Sequence, residues 1–223
     1  MKNLLRPVFL VGAALLTIGA NQNWHAAVVK TDRSHQIGNP EAKVKLTEFV
    51  SYTCPHCASF AAKGEPVLQL AYIGQGTVQL EIRSIIRNDV DLTISLLVGC
   101  GDTDKFMRNH TYFMSTQDKW LKVFENSTLG QRLRWSSADG PTARRAIASD
   151  AGYYQMMETR GYTRTEIDRC LSDDKEAERL EANTLADFAE YKVRGTPSFA
   201  INGELLDHVH SWQALEPVLN ANF

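Results

Sequence analysis

Four consecutive residues, Cys54-Pro55-His56-Cys57, have the types and the spacing for thiol–disulfide chemistry. Two thiols two residues apart can close a small disulfide ring. Val44 to Val50 reads as a strand that runs straight into the motif. Pro55 suits the first position of a helix, where its missing N–H costs nothing. Cys54 then falls at the N-cap, with its sulfur facing the unpaired N–H groups of the first turn. Partial positive charge there favours thiolate over thiol. His56 adds a further donor, and a cation when protonated. A stabilised thiolate is a good leaving group, so a Cys54–Cys57 disulfide should be oxidising and readily passed to another protein. Cys54 is by position the exposed partner and the candidate nucleophile. Cys57, one turn deeper, would resolve mixed disulfides. The competing chemistry is half a zinc site, but structural zinc wants four ligands, usually with a second close pair. Cys100 and Cys170 are far apart in the chain and no second Cys-x-x-Cys exists. A purely structural bridge in so short a ring would be strained and easily reduced.

The elements that must position these thiols are legible on either side. Ala26 to Lys30 suits a short edge strand, and Ile37-Gly38-Asn39-Pro40 suits a turn. After the strand over 43–50, a helix is expected from Cys54 to about Tyr72, interrupted by Gly64 and Pro66 and kinked at Pro66. Gly74-Gln75-Gly76 ends it. Val78, Leu80 and Ile82 alternate with polar residues and Ile85-Ile86 continue the run, which predicts a strand. Together these form a βαβ unit. Near the other end, Asp173 and Glu176 have capping-box spacing. Ala177, Leu180, Thr184, Leu185, Phe188 and Tyr191 are expected to share one face of the following helix. Ser198 to Ile201 is a strand, Asn202-Gly203 a two-residue hairpin turn, Glu204 to Val209 the returning strand, and Trp212 to Leu219 a closing helix. A βαβ unit plus a ββα unit is the α/β thioredoxin fold. Residues 87–174 lie between the two units with helix-like apolar spacing, and Trp120, Trp135 and Tyr153-Tyr154 read as aromatics of that segment.

The 223 residues suit one domain, or one domain with a large insertion. No basic patch or charge run points to nucleic acid. Lys2 and Arg6 precede an apolar run from Val8 to Ala20 that is short for a membrane span. This predicts an export leader over residues 1–20, cut after Ala20. Ile18 is not the usual small residue before such a cut, so an uncleaved anchor is the alternative. Without Lys2 and Arg6, the 24 basic and 26 acidic residues leave a mature charge of about −4. Four cysteines in an exported chain permit two disulfides. If 54–57 is the redox pair, Cys100 and Cys170 remain for each other, or as two separate buried thiols.

Cys-Pro-His-Cys after a strand, in a chain with an export leader, resembles the DsbA family of thioredoxin-fold disulfide oxidoreductases. The resemblance covers about 37–222, with its motifs concentrated in 48–57 and 195–199. It implies a helical insertion over about 87–174 within a single domain spanning 21–223. It implies that His56 stabilises the Cys54 thiolate. Arg194-Gly195-Thr196-Pro197-Ser198-Phe199 matches the segment that carries a cis proline facing the cysteines. A cis Thr196–Pro197 bond would aim the Thr196 backbone at an incoming peptide, to be paired as an added strand. Glu48, six residues before Cys54, matches an acid buried beneath the second cysteine, where it would assist proton transfer at Cys57. A solvent-facing strand Glu is the alternative. Some alphaproteobacterial DsbA-like proteins carry a second disulfide in the helical region, as Cys100 and Cys170 would here. His208 and His210 alternate as metal ligands can, but no third ligand is near, so no metal and no dissolved cofactor is expected.

The implied activity is a periplasmic oxidase that donates the Cys54–Cys57 disulfide to reduced secretory proteins and is recharged by a membrane partner of DsbB type. One departure favours the alternative, an isomerase or reductase kept reduced by a membrane electron donor. Enterobacterial DsbA has Val where this chain has Thr196, and Thr is common there in those relatives. Against it, only about 20 residues separate Ala20 from the first core strand, too few for the dimerisation domain such isomerases carry. A non-catalytic peptide-binding module is the reading from another class, and an intact Cys-x-x-Cys argues against it.

Overall fold

The computed structural model describes residues 23–223; the leader expected over 1–20 lies outside the described residues. Six strands form one sheet: β1 (Val28–Lys30), β2 (His35–Gly38), β3 (Val44–Val50), β4 (Val78–Ser84), β5 (Ser198–Ile201) and β6 (Glu204–Leu205). Their order is β1-β2-β4-β3-β5-β6. β3 and β4 run parallel, and the other pairs are antiparallel. Parallel neighbours need a crossover, supplied here by α1 (Pro55–Lys63) and the turns after it. β5, β6 and α11 (Trp212–Asn220) form the ββα unit. Ile37 and Gly38 were expected to begin a turn. Instead His35 to Gly38 pairs with β4 on one side and β1 on the other, and the turn starts at Asn39. β4 stops at Ser84, short of Ile85-Ile86.

The helix over 54–72 is interrupted at Gly64 and Pro66 as expected, but by a full restart rather than a kink. α1 ends at Gly64, α2 (Glu65–Val67) restarts with Pro66 in its first turn, and a π-helical turn covers Leu68–Ile73. Pro66 has no N–H to continue the α1 ladder but fits a new first turn. Gly64 also lies tight against its neighbours: a Cβ there would sit 2.8 Å from the Phe60 ring and 3.0 Å from Trp212.

Helices α3 (Asp89–Val98), α4 (Phe106–Ser115), α5 (Gln117–Glu125), α6 (Leu129–Trp135), α7 (Gly140–Asp150), α8 (Tyr153–Glu158) and α9 (Arg164–Leu171) fill the stretch between β4 and α10 (Asp174–Tyr191). Trp120 and Tyr153 meet edge to face in their core, with ring centroids 5.7 Å apart. Cys100, just after α3, and Cys170 in α9 are joined by a disulfide closing a separation of 70 residues. Replacing both by Ser is expected to cost about 4 kcal/mol through loop-closure entropy, read as a lowered urea midpoint.

Asp173 caps α10 by accepting from the Glu176 N–H at 3.0 Å. The reciprocal half of the box is missing, because the Glu176 carboxylate pairs with Lys30 and Arg179. The buried face of α10 also differs from expectation. Leu185 and Phe188 are 69% and 40% exposed, whereas Asp187 is buried and pairs with Arg33 and Arg83. The Arg83 guanidinium lies over the Tyr191 and Phe49 rings. Charge pairing, which hydropathy does not register, sets the rotation of this helix. The Asn202-Gly203 turn has positive φ at both residues, 51° and 88°, as a tight hairpin between twisted strands requires. The returning strand is only Glu204–Leu205, so His208 and His210 lie in the loop beyond it.

Candidate active site

β3 delivers the chain to the motif and is buried at every position except Lys45, which is partly covered. Leu46 and Val50 face the main core, while Phe49 packs on the opposite side with Tyr191. Glu48 shares the period of Leu46 and Val50 and is fully buried. Both its carboxylate oxygens lack a hydrogen-bond partner.

Cys54 is the N-cap of α1, with φ −92° and ψ 116°, and Pro55 occupies the first turn. The turn before it is clamped by the insertion. Asp91, fully buried at the start of α3, accepts from Ser51 Oγ at 2.9 Å, the Thr53 N–H at 2.9 Å and Thr53 Oγ1 at 3.1 Å. Gln117 of α5 donates from Nε2 to the carbonyls of Tyr52 at 2.6 Å and Cys54 at 3.0 Å. Below them the buried His110 bridges Glu65 Oε1 at 2.7 Å and the Tyr52 hydroxyl at 3.0 Å. Sequence reasoning missed these four anchors. Asp91 reads as an ordinary first-turn acid, and Gln117, Glu65 and His110 carry no local signature.

The Thr196–Pro197 peptide bond is cis. It places the Thr196 carbonyl oxygen 3.0 Å from Cys54 Sγ, where the protonated thiol donates to it. His210 Nδ1 donates to the Pro197 carbonyl at 2.7 Å from the other side. The cis-proline loop covers Cys54, which is therefore 4% exposed against 0% for Cys57. Cys54 is the less buried thiol but not the open one that position alone implied. Both are free thiols, and His56 is exposed beside them.

The two sulfurs are held in opposite protonation states. A hydrogen bond from the Cys57 thiol does most to bring Cys54 down to about 4 from its ordinary value near 9, against the opposing effect of burial. Thr196 and the backbone N–H groups of Cys57 and His56 assist. Those amides face the sulfur without closing an ideal cap hydrogen bond. The Thr196 hydroxyl is buried with no other partner, so its proton is available to the thiolate. His56 thus acts through its backbone, in addition to whatever its exposed ring supplies. Burial, then the bond to Cys54 and the charges of Cys54 and Glu48, push the Cys57 thiol well up. Burial, and secondarily the charge of Glu65, push the Glu48 carboxyl well up as well. Such a set can stabilise a thiolate at Cys54, keep a proton at Cys57, and hold beside them a carboxyl able to give and take one. His208 and His210 do not meet a third ligand; among the described residues no cluster of three metal-binding side chains occurs.

A family model described as Thioredoxin matches residues 30–221. The chain belongs to the thioredoxin family. Within it, the chain is 42% identical to a protein-disulfide isomerase from Novosphingobium aromaticivorans, whose crystal structure superposes with a TM-score of 0.83 over 86% of this chain and 98% of that one. It shares the fold of Wolbachia pipientis alpha-DsbA1, with a TM-score of 0.65 at 16% identity over 86% and 92% of the two chains. A Rickettsia bellii protein named as a protein-disulfide oxidoreductase is 33% identical over 168 residues, which is 75% of this chain and 56% of that protein. The chain thus spans about half the length of the curated relatives it matches. The thioredoxin fold expected from the sequence is thus shown over residues 30–221.

Proposed function

We propose that the protein is an exported thiol–disulfide oxidoreductase that works as an oxidase, passing a Cys54–Cys57 disulfide to reduced proteins. The observation that carries this reading is the asymmetry of the two thiols: Cys54 lowered to about 4 against the cis-proline loop, and Cys57 raised in the core. A substrate thiolate attacks Cys54 Sγ and displaces Cys57, which takes up a proton as it leaves. Glu48, whose neutral form burial favours, supplies that proton. A second substrate thiol then attacks the substrate sulfur of the mixed disulfide. Cys54 departs as a stabilised thiolate, and the dithiol enzyme and an oxidised substrate remain. Two electrons have moved from substrate to enzyme, and a membrane oxidant of DsbB type would remove them. The leader over 1–20 supports a periplasmic location.

A second reading, isomerase or reductase, is favoured by Thr196 before the cis proline and by the name of the Novosphingobium relative. The two diverge in cells. Acid-quenched cells treated with a thiol-reactive mass tag are expected to hold Cys54 and Cys57 mostly as the disulfide. A mostly dithiol pool would reject the oxidase and favour an enzyme kept reduced by a membrane electron donor.

A further inference from the structure

Three hollows adjoin the cis Thr196–Pro197 bond and the start of α1. One of about 160 Å³ has Ile85, Val193 and Phe188 in its apolar lining, next to Thr196. A second of about 390 Å³ runs from Lys192 and Arg194 past Leu206. A third of about 50 Å³ lies beside His56 and Trp212. The charged side chains lining them are Lys63, Arg87, Lys192 and Arg194, against a single carboxylate, Asp207. His208 and His210 line the same face.

This balance runs against that of the chain, which carries a formal charge of −2. The cations are also little neutralised. Among the described residues, Lys63, Lys192 and Arg194 take part in no salt bridge, and all three are exposed. Arg87 shares the buried Asp91 at 3.6 Å, with its side chain 42% exposed. Phe188, turned outward at the mouth of the first hollow, is 40% exposed although Ile85 and Val193 beside it are buried. An apolar floor rimmed by Arg194 and the partly paired Arg87, with Lys192 and Lys63 unpaired nearby, fits an apolar side chain followed by carboxylates. Such complementarity acts chiefly on encounter rate and on the choice of partner.

We propose that this rim selects substrate cysteines flanked by acidic residues, with an apolar neighbour seated beside Phe188. The proposal rests on the oxidoreductase reading of Cys54 and names the substrate class of that site. In the reaction a peptide dithiol becomes a disulfide while the Cys54–Cys57 disulfide becomes a dithiol, so the protein itself is the two-electron oxidant.

The test uses the oxidised protein and three dithiol peptides that differ only in the residues flanking the first cysteine: Glu, Ser or Lys. Each peptide is calibrated for intrinsic thiol reactivity against hydroxyethyl disulfide, which is uncharged. The Glu peptide is expected to be oxidised about tenfold faster than the Lys peptide at low salt, with the ratio falling towards one as salt screens the rim. A Lys192→Glu/Arg194→Glu double variant is expected to reverse the order of the two. Equal rates for the Glu and Lys peptides, or a preference unmoved by salt, overturn the proposal while the Ser peptide is still oxidised. Failure to oxidise the Ser peptide rejects the oxidoreductase reading itself. The salt series on the unaltered protein decides the matter even where the double variant does not fold.

Discussion

The reduced protein is expected to melt above its disulfide form at neutral pH, with a gap that closes as the pH falls towards 4. Cys54 ionises at about 4 in the folded dithiol, against about 9 for an ordinary thiol. A lowered acid contributes stability that is complete above its unfolded value and is lost as the pH falls through its folded one. The window therefore runs from pH 9 down to pH 4. Cys57 does not cancel the effect inside it, because its thiol is pushed up and stays protonated in both states there. Between pH 4 and 7 the advantage amounts to about 4 kcal/mol. Screening by solvent at the mouth of the site reduces it to about 2 kcal/mol. The disulfide form has no thiol at position 54 to ionise and gains none of this. In a domain of this size the difference corresponds to about 4–8 °C in Tm. Calorimetry of both redox forms at pH 4 and pH 7 is the check. A gap equal at the two pH values, or a disulfide form that melts higher, would remove the physical basis for an oxidising disulfide.

Glu48→Gln should have the second largest effect, with opposite signs on stability and rate. The Glu48 carboxyl is fully buried, its oxygens are unpartnered, and its proton is held well above the ordinary range, first by burial and then by Glu65. A carboxyl raised in the folded state pulls the equilibrium towards unfolding once the pH passes its unfolded value, because only the unfolded chain ionises it. The variant removes that pull. It is expected to be more stable by roughly 1–3 kcal/mol at pH 7 and unchanged below pH 4, where both states are protonated. The same change removes the group that exchanges a proton with Cys57. Stopped-flow measurement should find the step that makes or breaks the Cys57 bond slowed by about a hundredfold. Attack by the Cys54 thiolate of the reduced variant on a small disulfide reagent should hardly change. A variant with unaltered pH dependence of stability would place the charge of Glu48 outside the core. Normal Cys57 kinetics would assign the proton to water.

Much of the site was legible before any fold was drawn, and the misses share a cause. The motif, the strand into it, Pro55 in the first turn and the Asn202-Gly203 hairpin follow from rules that act within a few residues. Gly64 and Pro66 showed that the helix is interrupted near 64–66, though not that Gly64 packs against Phe60 and Trp212. β2 was overlooked because His35 to Gly38 has little strand character of its own and is a strand through pairing with β4. Leu185 and Phe188 were placed inward by hydropathy, but the ion pairs of Asp187 with Arg83 and Arg33 turn the Asp187 face of α10 inward and leave those two exposed.

The sequence alone determined that two thiols sit at a helix N-terminus after a strand, that a proline opens the strand of a hairpin, its cis bond being implied only by the resemblance, and that caps and turns mark most element ends. Each is a local preference, written in neighbouring residues. The tertiary structure decided how far Cys54 is covered, that Glu48 has no partner, and that Asp91 and Gln117 grip the turn before the motif. It also decided that Cys100 meets Cys170. These depend on which surface packs over which across 40 to 140 residues of chain. Burial and long-range pairing set the protonation of the two sulfurs, so the chemistry that the motif makes possible is tuned by groups the motif does not contain.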